Sequence, residues 1–189
     1  MSVHTLSVLV EDKPGVLTRV AGLFAARGYN IDSLAVGPTE ESGLSRMTIV
    51  VDVESKPLEQ VTKQLNKLVH VIKILEHDRW TTVERELVLV KVRAEGEARA
   101  RIMEIADVFR VRVLDVTRRT LTVEGTGTPD KIAALLELLA DYGIVELART
   151  GRIALARGDR GIRERVLRSP KAAGAEDLPD SSDWAGGGV

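Results

Sequence analysis

The sequence predicts an α+β protein made of two βαββαβ units in tandem. Three observations carry this. Apolar residues alternate with a period of two in some stretches and recur at helical spacing in others. From residue 1 to 78 these stretches follow the order strand, helix, strand, strand, helix, strand, and the same order returns from 85 to 158. The helical stretches also carry boundary signals: Gly28 after the first, and Thr128-Pro129 before the last. Repetition of one order within a chain reads as an internal duplication. Each unit is the split βαβ, or ferredoxin-like, arrangement: an antiparallel sheet with two helices on one face.

In the first unit, His4 to Val10 is a half-buried strand, with Leu6, Val8 and Val10 on one side and Thr5, Ser7 and Leu9 on the other. The tight loop Glu11-Asp12-Lys13-Pro14-Gly15 follows. A helix is expected from Pro14 to Arg27, with Pro14 in its first turn and Val16, Val20, Leu23 and Phe24 inward. Asn30 to Val36 is a second strand, placed at the same end of the sheet as the loop. Met47, Ile49, Val51 and Val53 make one face of a third. Pro57 opens a helix with Leu58, Val61, Leu65 and Leu68 on one stripe, and Val71 to Leu75 closes the unit.

A polar link with Trp80 is expected over 79–84. The second unit then runs through strand Leu87 to Val92, a helix with Ile102, Ile105, Ala106 and Phe109 facing one way, and a hairpin of Val111–Val116 with Thr120–Glu124 around Arg118-Arg119. Thr128 caps a helix with Ile132, Leu135, Leu136 and Leu139 inward, and Ile144 to Ala156 is read as one final strand. A sheet face or edge in each unit is left needing a partner, so self-association is expected. Residues 159–189, rich in Gly, Asp, Ser and Pro, read as a mostly disordered tail, with Ile162, Val166 and Leu167 able to form a brief helix against the second unit.

Composition narrows the function classes. The 189 residues carry a formal net charge of −1, without the basic excess of a nucleic-acid binder, although Arg157 to Arg168 is locally basic. There is no cysteine, which excludes disulfides, thiolate metal sites and a cysteine nucleophile. No apolar run approaches membrane-spanning length, and Met1-Ser2-Val3-His4 leads straight into a strand pattern, so a cytoplasmic protein without a targeting segment is expected. His4, His70 and His77 lack paired metal-ligand spacing, so no metal site is expected. Gly125-Thr126-Gly127-Thr128 lacks the Gly-Lys-Ser/Thr ending of a P-loop, and no nucleophile–base pair, thiamine motif or flavin motif is present. Glu59 and Lys63, four apart on a helix, form a solvated pair.

The residues that point to chemistry lie in the first loop. Gly15 leaves the backbone uncovered at a helix start, where free amides suit a carboxylate. Asp12 offers the complementary negative group, so the pair suits an α-amino acid. A simple turn satisfies the same spacing.

The run LSVLVEDKPGVLTRVAGLFAARGYNIDSLAVGPTEESGLSRMTIVV resembles an ACT domain, the small module that binds amino-acid effectors. More closely, DKPGVLTRVAGLF, RGYNIDSLAVGPTE and LSRMTIVV, with VERELVLVKV, DVTRRTLTVEGTGTPDKI and IVELARTGRIALARG downstream, are similar to the small regulatory subunit of acetohydroxyacid synthase (AHAS), also called acetolactate synthase. The resemblance covers Met1 to about Gly158. It implies an ACT domain over 1–78 and a non-catalytic chain that activates a separate large subunit in valine, leucine and isoleucine synthesis. It also implies feedback inhibition by valine or another branched-chain amino acid. Thiamine diphosphate, magnesium and FAD belong, on this resemblance, to the large subunit. The effector would lie between two ACT domains of a homodimer. One chain would give Asp12, Lys13, Pro14, Gly15, Val16 and Leu17; its neighbour would give Asn30 and Ile31. Asn30 can hold an ammonium or carboxylate, and Leu17 and Ile31 can wall a branched side chain.

Aligning the halves places Val113-Leu114-Asp115 where Asn30-Ile31-Asp32 stand, and the second loop, Ala94-Glu95-Gly96-Glu97-Ala98, lacks Asp-x-Pro-Gly. One effector-binding domain per chain is therefore expected, with Asp32 and Asp115 structural. Two other classes compete: an ACT-type amino-acid sensor acting on another enzyme or on transcription, disfavoured by the absence of an attached helix-turn-helix, and an autonomous enzyme, disfavoured by the missing catalytic constellation.

Overall fold

A computed structural model describes residues 3–52, 58–159 and 161–163. The first unit contains β1 (Val3–Glu11), α1 (Val16–Ala26), β2 (Asn30–Pro38), β3 (Leu44–Asp52), α2 (Leu58–Leu65) and β4 (Val71–His77). Its antiparallel sheet has the order β2-β3-β1-β4. The second unit contains β5 (Thr82–Arg93), α3 (Ala98–Val108), β6 (Arg112–Val116), β7 (Thr120–Gly127), α4 (Pro129–Ala140), β8 (Ile144–Arg149) and β9 (Ile153–Ala156). Its sheet repeats the pattern as β6-β7-β5-β8, so the duplication read from the element order holds at the level of topology.

Each unit has its own core between sheet and helices. Leu6, Val8 and Val10 meet Val16, Val20, Leu23 and Phe24 of α1 and Val61 and Leu65 of α2. Val88, Val90 and Val92 meet Ile102, Ile132, Leu135 and Leu139 in the second. Phe24 also meets Tyr29 edge to face, with ring centroids 6.2 Å apart. The caps follow the local chemistry. Gly28 takes φ +65° after α1, and Thr128 accepts the Lys131 amide through its hydroxyl at 3.4 Å ahead of α4, with Pro129 in the first turn.

Several expectations change. β1 is not half-buried: Thr5, Ser7 and Leu9, on the side away from the helices, are buried as well, as are Thr48 and Val50 of β3. The cover comes from the chain itself. The stretch Ile144–Ala156 is two strands broken at Gly151, which adopts φ +81°. β8 pairs with the second half of β5, whereas β9 pairs with Thr82–Arg85 at its start. β5 accordingly begins inside the expected link. The β5–β9 ribbon lies on the outer face of the first sheet: the Ser7 hydroxyl donates to the Ala154 carbonyl at 3.5 Å, and His77 bridges Ser7 at 2.7 Å and Thr82 at 3.2 Å through its two ring nitrogens. Ile162 is buried where the two units meet, beside a cavity lined by Ser7, Leu75 and His77 of the first unit and by Leu155 and Ala156 of β9. Val53, Pro57, Val166, Leu167 and the tail expected over 159–189 lie, apart from 159 and 161–163, outside the described residues.

Pro14 precedes the helix instead of opening it. Gly15 is the cap residue at φ +82°, a conformation that interrupts any helix continuing from Pro14, so α1 starts at Val16.

Candidate functional site

The loop after β1 is held from several sides. The Asp12 amide donates to the Gly43 carbonyl at 2.8 Å and the Glu11 amide to the His70 carbonyl at 3.0 Å. The Glu11 carboxylate meets Lys13 Nζ and His70 Nδ1, each at 2.7 Å. These hydrogen bonds, Lys13's first and His70's second, hold the Glu11 carboxyl below the usual carboxylate range. Lys13 is thereby engaged within the loop.

At the helix start, the Val16 amide turns to the Lys13 carbonyl at 3.3 Å, and the Arg19 amide returns to the Gly15 carbonyl. Among the described residues, the Gly15, Leu17 and Thr18 amides have no backbone acceptor. These are the orphan donors of a helix N-terminus. Gly15 has nothing within 4 Å of where a Cβ would stand, so the approach is open. Val16 itself points into the core, while Leu17 remains 43% exposed. Of the two amides expected to be free, Gly15 keeps its own, whereas Val16 spends its amide on closing the turn, and the next free donors are Leu17 and Thr18.

Asn30 is exposed at the start of β2 and donates to Asp32 Oδ1 at 2.7 Å; Ile31 is half-buried against the first core. The two groups of residues do not share an end of the sheet, contrary to the sequence reading. Glu11 pairs with Leu44 on β3, whereas Asn30 pairs with Asp52 and Asp52 with Val3. Eight residues of β3, roughly 26 Å, separate the two levels. The reason is topological: α1 carries the chain back along the sheet, so β2 starts where β1 started and not where it ended. Within one chain the loop and Asn30 are far apart.

The second unit differs at both positions. Its first loop has Gly96 at φ +56°, but Glu97 occupies the cap position ahead of α3, presenting a carboxylate side chain where the first unit has a bare glycine. Its second strand is equivalent in a register shifted by one. β2 slips against β3 at Asp32, between Ile31 and Ser33, and β6 slips against β7 at Leu114, between Val113 and Asp115. Arg110, at φ +51°, stands where Gly28 does. Arg112-Val113-Leu114 therefore matches Asn30-Ile31-Asp32, and Asp115 falls at the position of Ser33. The idea of two equivalent structural aspartates fails, while the lack of an Asn at the strand start in the second unit remains. Arg112 is instead paired with Glu124.

The remaining polar groups have structural roles. His4 pairs with Glu76 at 3.1 Å, and Glu59 with Lys63 at 2.7 Å on the surface of α2. Among the described residues, no three His, Asp or Glu side chains group to hold a metal ion, and no helix is long and apolar enough to cross a membrane.

Comparison with known proteins agrees with this architecture unit by unit. Residues 6–73 match the family model for the AHAS small subunit-like ACT domain, and residues 85–158 match that for the small subunit of acetolactate synthase. The acetolactate synthase small subunit of Mycolicibacterium smegmatis is 59% identical over 159 residues, covering 84% of this chain and 94% of that one. The chain belongs to the acetolactate synthase small-subunit family. A probable small subunit from Archaeoglobus fulgidus is 54% identical over 157 residues, covering 83% of this chain and 98% of its own length. The crystal structure of the Thermotoga maritima small subunit superposes with a TM-score of 0.77 at 41% identity, covering 85% of this chain and all of that one. As a small subunit of acetolactate synthase, the chain is the regulatory member of that complex, paired with the catalytic large subunit.

Proposed function

We propose that this small subunit activates its catalytic partner and confers feedback inhibition by a branched-chain amino acid, valine foremost, bound between the first units of two chains. The chain itself contributes no catalytic group; thiamine diphosphate, magnesium and FAD reside in the large subunit. The observation that carries the effector reading is the uncovered helix start at Gly15, with donors at Gly15, Leu17 and Thr18 for a carboxylate and Asp12 exposed beside it.

The separation of Asn30 from the loop within one chain favours a shared site. A two-fold dimer brings the loop of one protomer to the strand start of the other, and an effector joined to both stabilises one dimer arrangement over another. The large subunit responds to that arrangement, and the coupling is reciprocal for binding.

Reconstitution tests the proposal. Acetolactate formation by the large subunit rises on adding this chain and falls again as valine is titrated in. Gly15→Asp retains activation and resists valine, because a fixed carboxylate stands where the ligand's own must bind. Gly15→Asn, which also tolerates a left-handed backbone, separates charge from conformation and leaves more of the inhibition. Unchanged valine inhibition in folded Gly15→Asp overturns the placement; no activation by the wild-type chain overturns the regulatory reading.

A further inference from the structure

Between the two units lies a cavity of about 370 Å3 that none of the proposed effector residues lines. Its floor is the outer face at the end of β2 and the start of β3, including Ala35, Gly37, Arg46 and Thr48. The β5–β9 ribbon walls it with Ile153 and Leu155, which remain 59% and 58% exposed, and Arg85 also lines it. The floor is low because two neighbouring positions carry little or no side chain. A Cβ built on Gly37 meets nothing within 4 Å, so the space above it is empty.

The charge in this apolar cavity is one-sided. Among the described residues, two arginines line it and no Asp or Glu does. The Arg46 Nε is fully buried with no hydrogen-bond partner, and no ion pair to Arg46 exists among the described residues. Arg46 also lines the adjoining cavity of about 220 Å3, where Asp159 lies, yet the two make no ion pair. Arg85 turns one guanidinium nitrogen to the Glu84 carbonyl at 2.7 Å and has no carboxylate partner among the described residues. A buried guanidinium donor without an acceptor is costly, and a carboxylate is its natural complement.

We propose that this cavity is a second ligand site, taking a small carboxylate with a branched apolar tail and no ammonium group. The carboxylate meets Arg46, and the tail lies over Gly37 against Ile153 and Leu155. An α-amino acid fits poorly, because no acid among the described lining residues receives its ammonium. The site is thus chemically distinct from the loop at Asp12, where both signs are offered. A ligand here touches both units and ties the β5–β9 ribbon to the sheet beneath it.

Titration of the full chain with 3-methylbutanoate, followed by calorimetry and ligand-observed NMR, tests this. The expected result is saturable binding of one molecule per chain in the range of about 1 mM or tighter. Arg46→Met removes the guanidinium and weakens binding at least about tenfold. Gly37→Val fills the empty volume at a position of ordinary backbone conformation and abolishes binding, so the proposal stays testable if Arg46→Met folds poorly. 3-Methyl-2-oxobutanoate binds in the same place, whereas 3-methylbutylamine, with the same tail and the opposite charge, does not. Absence of saturable binding by the wild-type chain, binding unchanged in either variant, or binding abolished by Gly15→Asp overturns the proposal; the last would place the carboxylate at the effector loop instead.

Discussion

One contact that holds the second unit on the first is the turn Thr150-Gly151-Arg152 against β2, and Gly151→Ala perturbs it at one atom. Gly151 sits at φ +81°, where a non-glycine residue costs about 1–2 kcal/mol in backbone strain. A Cβ there would also stand 2.7 Å from Ser33 Oγ and 3.4 Å from the Leu34 carbonyl oxygen. Ser33 Oγ accepts the Arg152 amide at 2.9 Å, so displacing it forfeits a hydrogen bond worth about 0.5–1.5 kcal/mol. Together these predict a loss of about 2–3 kcal/mol, or roughly 4–12 °C in Tm for a chain of this size. The sharper assay is a double-mutant cycle by urea denaturation. In a Ser33→Ala background the oxygen is already gone, so Gly151→Ala should cost only the strain. Equal costs in both backgrounds, or a negligible cost in the wild type, would refute this account of the joint.

Three other outcomes follow from the same structure. Glu86, with a side chain only 3% exposed, pairs with Arg149, whose Nη2 lies 2.9 Å from its carboxylate and whose side chain is 44% exposed. Arg149→Met strands a buried charge, whereas Glu86→Gln leaves a cation that water can reach, so denaturation should show the arginine change to be the more destabilising. Glu11 has a lowered pKa, so its stabilising contribution is present above the ordinary carboxylate pKa and lost as pH falls through the lowered one. The Tm gap between wild type and Glu11→Gln should therefore be open at neutral pH and close on acidification; a constant gap would contradict the Lys13–Glu11–His70 linkage. Asn30→Ala should weaken valine inhibition by about five- to 150-fold, while Arg112→Ala, its counterpart in the second unit, should leave the inhibition curve in place.

Where a feature depends on local periodicity or capping chemistry, it was legible in the sequence. Val16, Val20, Leu23 and Phe24 mark the buried stripe of α1, and Thr128-Pro129 marks the start of α4. Features set by contacts between distant segments were not. Thr5 and Ser7 read as a solvent face because they are polar, but both are buried where the β5–β9 ribbon lies on the sheet, and Ser7 hydrogen-bonds to Ala154 of β9. The break in Ile144–Ala156 had a signal, since a glycine inside a strand pattern marks a bulge or a close backbone approach. Gly151 is both left-handed and pressed against Ser33. The one-residue slips at Asp32 and Leu114 leave no mark in composition, and Arg110 taking the left-handed place of Gly28 hid the true alignment of the two halves. At the candidate site, the residue types were readable from the loop, but the parallel run of β1 and β2, which sets Asn30 far from Gly15, needed the sheet order.

The central claim is that one effector site draws its loop and its Asn30 from different chains. It is tested most directly by calorimetric valine titration of a mixed dimer, with Gly15→Asp in one protomer and Asn30→Ala in the other. If the site is shared, one of the two sites combines both damaged segments and the other combines both intact ones. Valine should then bind with wild-type affinity at half the wild-type stoichiometry. If loop and Asn30 act within one chain, each site carries one lesion, and no wild-type binding appears at all.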